Sequence, residues 1–217
     1  MKSVIAASMI TLCSPVLAGD YLAGKDKAPV INGCVLEQEA SCAGMDLRGA
    51  DLSNMDLSSA DFKGANLSGT NLSHTNLRGA NLDGANLDNA TGYRLQAYRA
   101  SMRGASLKNV NFQGMQAEYL FAQGSDFSGA DLTGANFAFS RFSGASLPNA
   151  NLAFTSFEIS WMPKANLKGA SLLGANLQEA KLGRANLADA DLTGARIHYA
   201  TFVGTFMEGC TNCPFDW

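Results

Sequence analysis

The chain repeats one order of small, polar and large apolar residues every five positions. Residues 50–54 read ADLSN, and residues 185–189 read ANLAD. The pattern runs from residue 45 to residue 209 as 33 pentads, and 29 of the central positions are Leu, Phe, Met or Ile. A period of five fits neither an α-helix nor an alternating strand, so it indicates stacked repeat units.

Each pentad has two positions that favour burial, the large central residue and the small residue two places before it. The polar residue between them points outward, because side chains alternate in an extended segment. The last two positions are rich in Gly and Asn, which suit a tight turn. The repeat therefore predicts a chain that turns once in every pentad and coils around a narrow apolar axis.

The signature Ala-(Asp/Asn)-Leu-X-X resembles that of the pentapeptide-repeat family. The resemblance implies an all-β fold, a right-handed quadrilateral β-helix with four pentads per coil and about eight coils over residues 45–209. At about 4.8 Å per coil, the rod is expected to be about 40 Å long. Residues 19–44 and 210–217 are expected to form the N-terminal and C-terminal caps, since repeat rods need protected ends.

Four central positions lack a large side chain, and they test whether the rod is continuous. They are Gly92, Ala97, Ala117 and Ala122. Beside the three alanines, the normally small inward position is enlarged to Leu95, Met115 and Leu120. Such exchanges conserve core volume, which cores tolerate well. We therefore predict one uninterrupted rod.

Residues 1–18 have the features of a secretory signal peptide. Lys2 precedes a short apolar run, and small residues lead to a cleavage site that we place after Ala18. The mature protein is therefore expected to be periplasmic or secreted. No other stretch is long and apolar enough to predict stable membrane insertion.

Removal of Cys13 with the signal would leave four cysteines in an oxidising compartment. On the rod length that the family resemblance implies, the two ends are too far apart for a disulfide between them. The expected pairs are Cys34–Cys42 and Cys210–Cys213, one within each cap. The C-x-x-C spacing of the second pair leaves a redox role open as an alternative.

The chain offers no recognisable catalytic, cofactor or metal site. Ser and Asp recur because the repeat requires them, and His74 and His198 occupy outward turn positions without a ligand or nucleophile partner. The first coil has an aspartate on each of its four sides, namely Asp46, Asp51, Asp56 and Asp61. They are expected to form either a solvated edge or a collar that binds cations or a basic partner. The formal net charge of −3 argues against nucleic-acid binding.

Outward apolar residues are the main departure from the repeat. With four pentads per coil they gather along one side of the rod, and we call this set the aromatic edge: Tyr98, Tyr119, Phe121, Phe139, Arg141, Ile159, Trp161 and Tyr199. Phe154 is predicted to extend it. Exposed patches of this composition mark interaction sites. The occupant is expected to be an unknown protein or a second copy, or else residues 19–44 or a C-terminal segment of the same chain. The remaining alternative is that the edge has no binding role.

These features predict an exported, non-enzymatic scaffold for protein interaction. The family resemblance also implies an alternative, because members of the quinolone-resistance type mimic duplex DNA and bind a DNA-processing enzyme, gyrase. The export signal and weak charge of this chain argue against that role. A redox protein built on Cys210 and Cys213 is the remaining alternative.

Overall fold

The computed structural model describes residues 28–214. Within this range, 31 single-residue parallel β-bridges run from Ser41↔Asp61 to Asp191↔Thr211, and each joins residues 20 positions apart. The predicted all-β architecture is confirmed, with four bridged columns around a common axis. The predicted signal peptide, residues 1–18, lies outside the described residues, as do 19–27 and 215–217.

Backbone hydrogen bonds in both directions hold successive coils together. The Leu47 N–H donates to the Asn66 carbonyl at 2.8 Å, and the Asn66 N–H donates to the Met45 carbonyl at 2.9 Å. Between bridges the chain turns, as where the Ala50 N–H donates to the Leu47 carbonyl at 3.1 Å. Because each pentad repeats this arrangement, a residue shares a column with its counterpart four pentads later. Nowhere in residues 28–214 is there a helix long and apolar enough to cross a membrane.

The two inward positions of each pentad form a continuous apolar core. Leu95, Met115 and Leu120 are fully buried beside the three alanines whose volume they replace. The middle coils also contain a cluster of interior rings, with Phe137 stacked on Phe157 at 5.3 Å and Phe142 at their edges. The register therefore passes through the irregular coils without a break.

A short hairpin precedes the first coil. Strand β1, Val30–Ile31, pairs antiparallel with strand β2, Cys34–Val35. Asn32 and Gly33 connect them with φ values of 50° and 87°, the left-handed conformation that an Asn-Gly turn requires. The hairpin contacts the rod where the Asn32 side-chain amide donates to the Asp46 carbonyl at 2.6 Å.

Two disulfides lie at the ends of the described chain. Cys34 and Cys42 are joined with their Cα atoms 5.2 Å apart, and both are fully buried. Cys210 and Cys213 are joined with their Cα atoms 5.8 Å apart. Both bridges are local in sequence, which is what a rod with distant ends permits.

Candidate functional site

The aromatic edge follows one corner of the rod and the bridged face beside it. Tyr119, Phe139 and Ile159 occupy the second turn position of successive coils, with φ values of 59°, 61° and 55°. Phe121 and Trp161 occupy the outward position of the next pentad, where both pair through the backbone with Arg141. The two columns therefore run side by side along the rod.

Ring contacts connect three residues of the edge. Tyr119 and Phe139 are stacked, with centroids 5.0 Å apart and an interplanar angle of 8°. Tyr98 meets the Tyr119 ring edge-on at 5.6 Å. Both distances fall in the range of favourable aromatic pairs. The rings therefore form an ordered ladder, although they lie at the surface.

Guanidinium groups are placed over the same rings. The Phe121 ring has Arg103 at 4.6 Å on one coil and Arg141 at 5.5 Å on another. Arg99 lies 5.2 Å from the Tyr98 ring and 5.6 Å from the Tyr119 ring. Cations within about 6 Å of a ring centroid are attracted by its face. Arginine side chains therefore accompany the rings along the edge.

Much of this surface is open to solvent. Trp161 is 53% exposed, Phe139 43% and Ile159 40%. Tyr98 and Phe121 are half-buried. A shallow groove of 590 Å³ runs beside the edge, and its lining consists of Tyr119, Gln123, Phe139, Ser140, Arg141, Ser143, Ile159 and Trp161.

Tyr199 and Phe154 lie apart from the other residues of the aromatic edge. Tyr199 shares the corner column but is separated from Ile159 by Glu179, and its ring contacts His198 at 3.7 Å. Phe154 lies at the preceding corner, where its ring covers Gly174, so it does not continue the column of Phe139. The correction follows from the register, because Phe154 comes three pentads after Phe139, whereas neighbours in one column are four pentads apart.

Sequence reasoning missed a polar column beside the aromatic edge, of which Gln123 and Ser143 line the groove. Arg103, Gln123 and Ser143 share one column, and their spacing of four pentads was the available signal. The Gln123 side-chain oxygen is buried and has no hydrogen-bond partner among the described residues.

The acidic residues of the first coil are engaged within the protein. The Asn71 and Asn76 side-chain amides donate to Asp51 and Asp56 at 3.0 and 2.9 Å. Hydrogen bonds from Ser53 and Ser58 hold the pKa of these two carboxyls below the usual value. Residues 28–214 contain no group of three or more potential metal ligands. The carboxylates therefore bind neighbouring coils and turns.

The chain matches a protein-family model described as pentapeptide repeats, in eight copies. The matched segments are residues 38–79, 56–91, 125–160, 150–187 and 170–209. Together they span more than half of the chain. No curated protein matches the chain at a significant level.

Several solved pentapeptide repeat proteins are similar to this chain. HetL, involved in heterocyst differentiation regulation in the cyanobacterium Nostoc sp. strain PCC 7120, is 28% identical, with 80% of this chain and 89% of HetL covered and a TM-score of 0.41. Rfr23 from the cyanobacterium Cyanothece 51142 is 24% identical, with 51% and 90% covered and a TM-score of 0.46. QnrB1, a plasmid-mediated fluoroquinolone resistance protein, is 20% identical, with 77% and 89% covered and a TM-score of 0.42.

Proposed function

The chain belongs to the pentapeptide repeat family, and from this premise we propose that it is an exported, non-enzymatic scaffold whose aromatic edge binds protein. The observation that carries the proposal is the exposure of large apolar residues in left-handed turn positions. Most positions of this kind in the rod hold Gly or another residue of the usual turn type. The fold does not require large apolar residues at these exposed turn positions, so their presence favours a role in binding.

Backbone strain strengthens this argument. Ile159 has a φ of 55°, although a β-branched residue in this region is a conformational outlier. Such strain costs on the order of 1–3 kcal/mol and concentrates at functional sites. The monomer recovers little in return, because Ile159 remains 40% exposed. Burial against a partner would supply the missing stabilisation.

The edge is also preorganised for binding. The Phe139 N–H donates to the Glu158 carbonyl and the Ile159 N–H to the Gln178 carbonyl, both at 2.9 Å. These bonds tie each turn to the following coil. A partner would therefore meet a fixed surface and lose little free energy in ordering it.

Export is supported by two independent features. The signal-like pattern of residues 1–18 predicts secretion, and the disulfides Cys34–Cys42 and Cys210–Cys213 suit an oxidising compartment. The arginines at the aromatic edge also argue against DNA mimicry there, because Arg99, Arg103 and Arg141 carry the charge opposite to that of the phosphates of duplex DNA. A periplasmic or secreted scaffold fits these features together.

The test combines cell fractionation with cross-linking of the mature protein. Phe139→Ser with Trp161→Ser should abolish cross-links to the partner and leave the melting temperature within a few degrees of the original. Tyr93→Ser with Leu173→Ser is the matched control, because both residues are exposed and apolar but lie at another corner. Unchanged association of the Phe139→Ser/Trp161→Ser variant would contradict the proposed binding role. An uncleaved protein found in the cytoplasm would contradict export.

A further inference from the structure

The corner column of the aromatic edge has opposite charges at equal distances from its middle. In chain direction its middle part reads Arg99, Tyr119, Phe139, Ile159 and Glu179, one residue per coil, and Tyr199 follows in the coil after Glu179. Arg99 therefore lies two coils, or about 10 Å, on one side of Phe139, and Glu179 lies the same distance on the other. If a second, antiparallel copy of this column faced the first, Arg99 would lie opposite Glu179 at both ends. Apolar residues would lie opposite apolar residues between them.

The two charged residues are available for such pairing. Both are exposed, and within residues 28–214 neither makes an ion pair. The Arg99 guanidinium lies 5.6 Å from the Tyr119 ring, which orients it along the edge. Glu179 has a φ of 59°, so its turn matches those of the apolar residues in the column.

We propose that the partner of the aromatic edge is a second copy of this chain, packed antiparallel about a two-fold axis at Phe139. In a two-fold interface the same patch serves both subunits, so it must be self-complementary. Here Phe139 meets Phe139 of the second copy, Tyr119 meets Ile159, and Arg99 meets Glu179. The inference rests on the proposed function of the edge as a docking surface and assigns its occupant.

The neighbouring column agrees with this arrangement. Phe121 and Trp161 lie one coil on either side of Arg141, so Phe121 of one copy faces Trp161 of the other. Arg141 faces its own counterpart, which is unfavourable, but its guanidinium lies against the Phe121 ring at 5.5 Å. The pair of aromatic contacts adds apolar area on each side of that point.

Acidic groups on the other flank are held away from the corner. Glu118 and Glu158 would otherwise face each other across the two-fold axis. The Asn136 amide donates to Glu118 at 2.8 Å, and the Asn176 amide donates to Glu158 at 3.2 Å. Both amides belong to the adjoining face of the rod, so both carboxylates are drawn towards it.

Charge exchange tests the pairing. Sedimentation of the mature protein over a range of concentrations should show a monomer–dimer equilibrium that weakens with salt. Arg99→Glu and Glu179→Arg should each weaken association about tenfold, because each creates two like-charge pairs per dimer. The double variant should recover most of the affinity. Lys164→Glu and Glu208→Arg are matched controls that make the same changes in charge outside the column and should leave association unchanged.

A second measurement locates the axis. Phe139→Cys should form a symmetric disulfide-linked dimer on mild oxidation, whereas Leu173→Cys, at another corner, should not. The inference would be overturned if the wild-type protein stayed monomeric. It would also be overturned if the protein dimerised but Phe139→Cys formed no disulfide-linked dimer and the Arg99→Glu/Glu179→Arg variant recovered no affinity. In either case, loss of another partner's cross-links from the Phe139→Ser/Trp161→Ser variant would still support the proposed function.

Discussion

The Phe112 ring occupies the space that a side chain at Gly92 would need, one coil earlier in the same column. A Cβ atom at position 92 would lie 2.8 Å from Phe112 Cδ1 and 2.9 Å from Cε1. Gly92 does not have a positive φ, so the glycine is required by this close approach rather than by its backbone conformation. The one central position without a neighbouring volume exchange is therefore filled from the next coil.

This relationship predicts that Gly92→Ala destabilises the rod by about 1–3 kcal/mol, the usual cost of overpacking. Denaturant unfolding would measure it. Gly183→Ala is the matched control, because its Cβ would meet only the Val203 carbonyl at 3.6 Å, an ordinary contact. In a Phe112→Leu background the cost of Gly92→Ala should fall. An equal cost in both backgrounds would contradict the steric account.

Two buried serines in one column should respond differently to removal of the hydroxyl. Ser140 donates to the Ala117 carbonyl at 3.0 Å and accepts from the Leu120 N–H at 2.9 Å. The Ser160 hydroxyl is fully buried and has no partner among the described residues. We expect Ser140→Ala to cost about 1–2 kcal/mol and Ser160→Ala to be neutral or stabilising. Thermal unfolding of both variants checks this difference, and an equal loss in both would refute it.

Relief of backbone strain at Ile159 should raise the stability of the fold while weakening association at the aromatic edge. Ile159→Gly removes a β-branched residue from the left-handed region and should raise the free energy of unfolding by about 1 kcal/mol. It should also weaken binding at the aromatic edge. Lys164→Gly, at a φ of 59° in another column, is the control. It should gain less stability, because Lys164 is unbranched, and it should leave association unchanged.

Acid should destabilise the fold, because hydrogen bonds favour the ionised form of several carboxyls. At Asp131, burial raises the pKa, and hydrogen bonds from Thr133 and Gln113 lower it. The hydrogen bonds outweigh burial, so the pKa lies below its usual value. The residues with lowered pKa values are Asp46, Asp51, Asp56, Asp83, Asp126, Asp131 and Asp191.

A lowered folded-state pKa means that the unfolded chain binds protons first as the pH falls. The melting temperature should therefore be nearly level above about pH 5 and should decrease as the pH passes below about 3.9, the unfolded value. Asp131→Asn should lower stability at neutral pH and reduce the acid-dependent loss. A melting temperature independent of pH between 5 and 3 would contradict this account.

The irregular coils show where sequence reasoning reached its limit. Leu95, Met115 and Leu120 stand next to the positions that they compensate, so the exchange could be predicted within a pentad. Phe112 lies one full coil after Gly92, and its role emerges only when the two coils are stacked. The aromatic edge was predictable for the same reason as the rod, because residues four pentads apart share a column. The Arg103–Phe121 contact was not, because it depends on how long side chains lie across the surface.

The period, the inward and outward positions of each pentad and the residues that share a column could all be predicted from the amino-acid sequence. These properties follow from local turns repeated at constant length, and backbone bonds between coils then hold the register. Which rings stack, which buried hydroxyls find acceptors and how the space at Gly92 is filled became clear only in the folded protein. Those outcomes depend on side-chain conformations and on distances of a few tenths of an ångström between coils, which a repeat pattern does not specify.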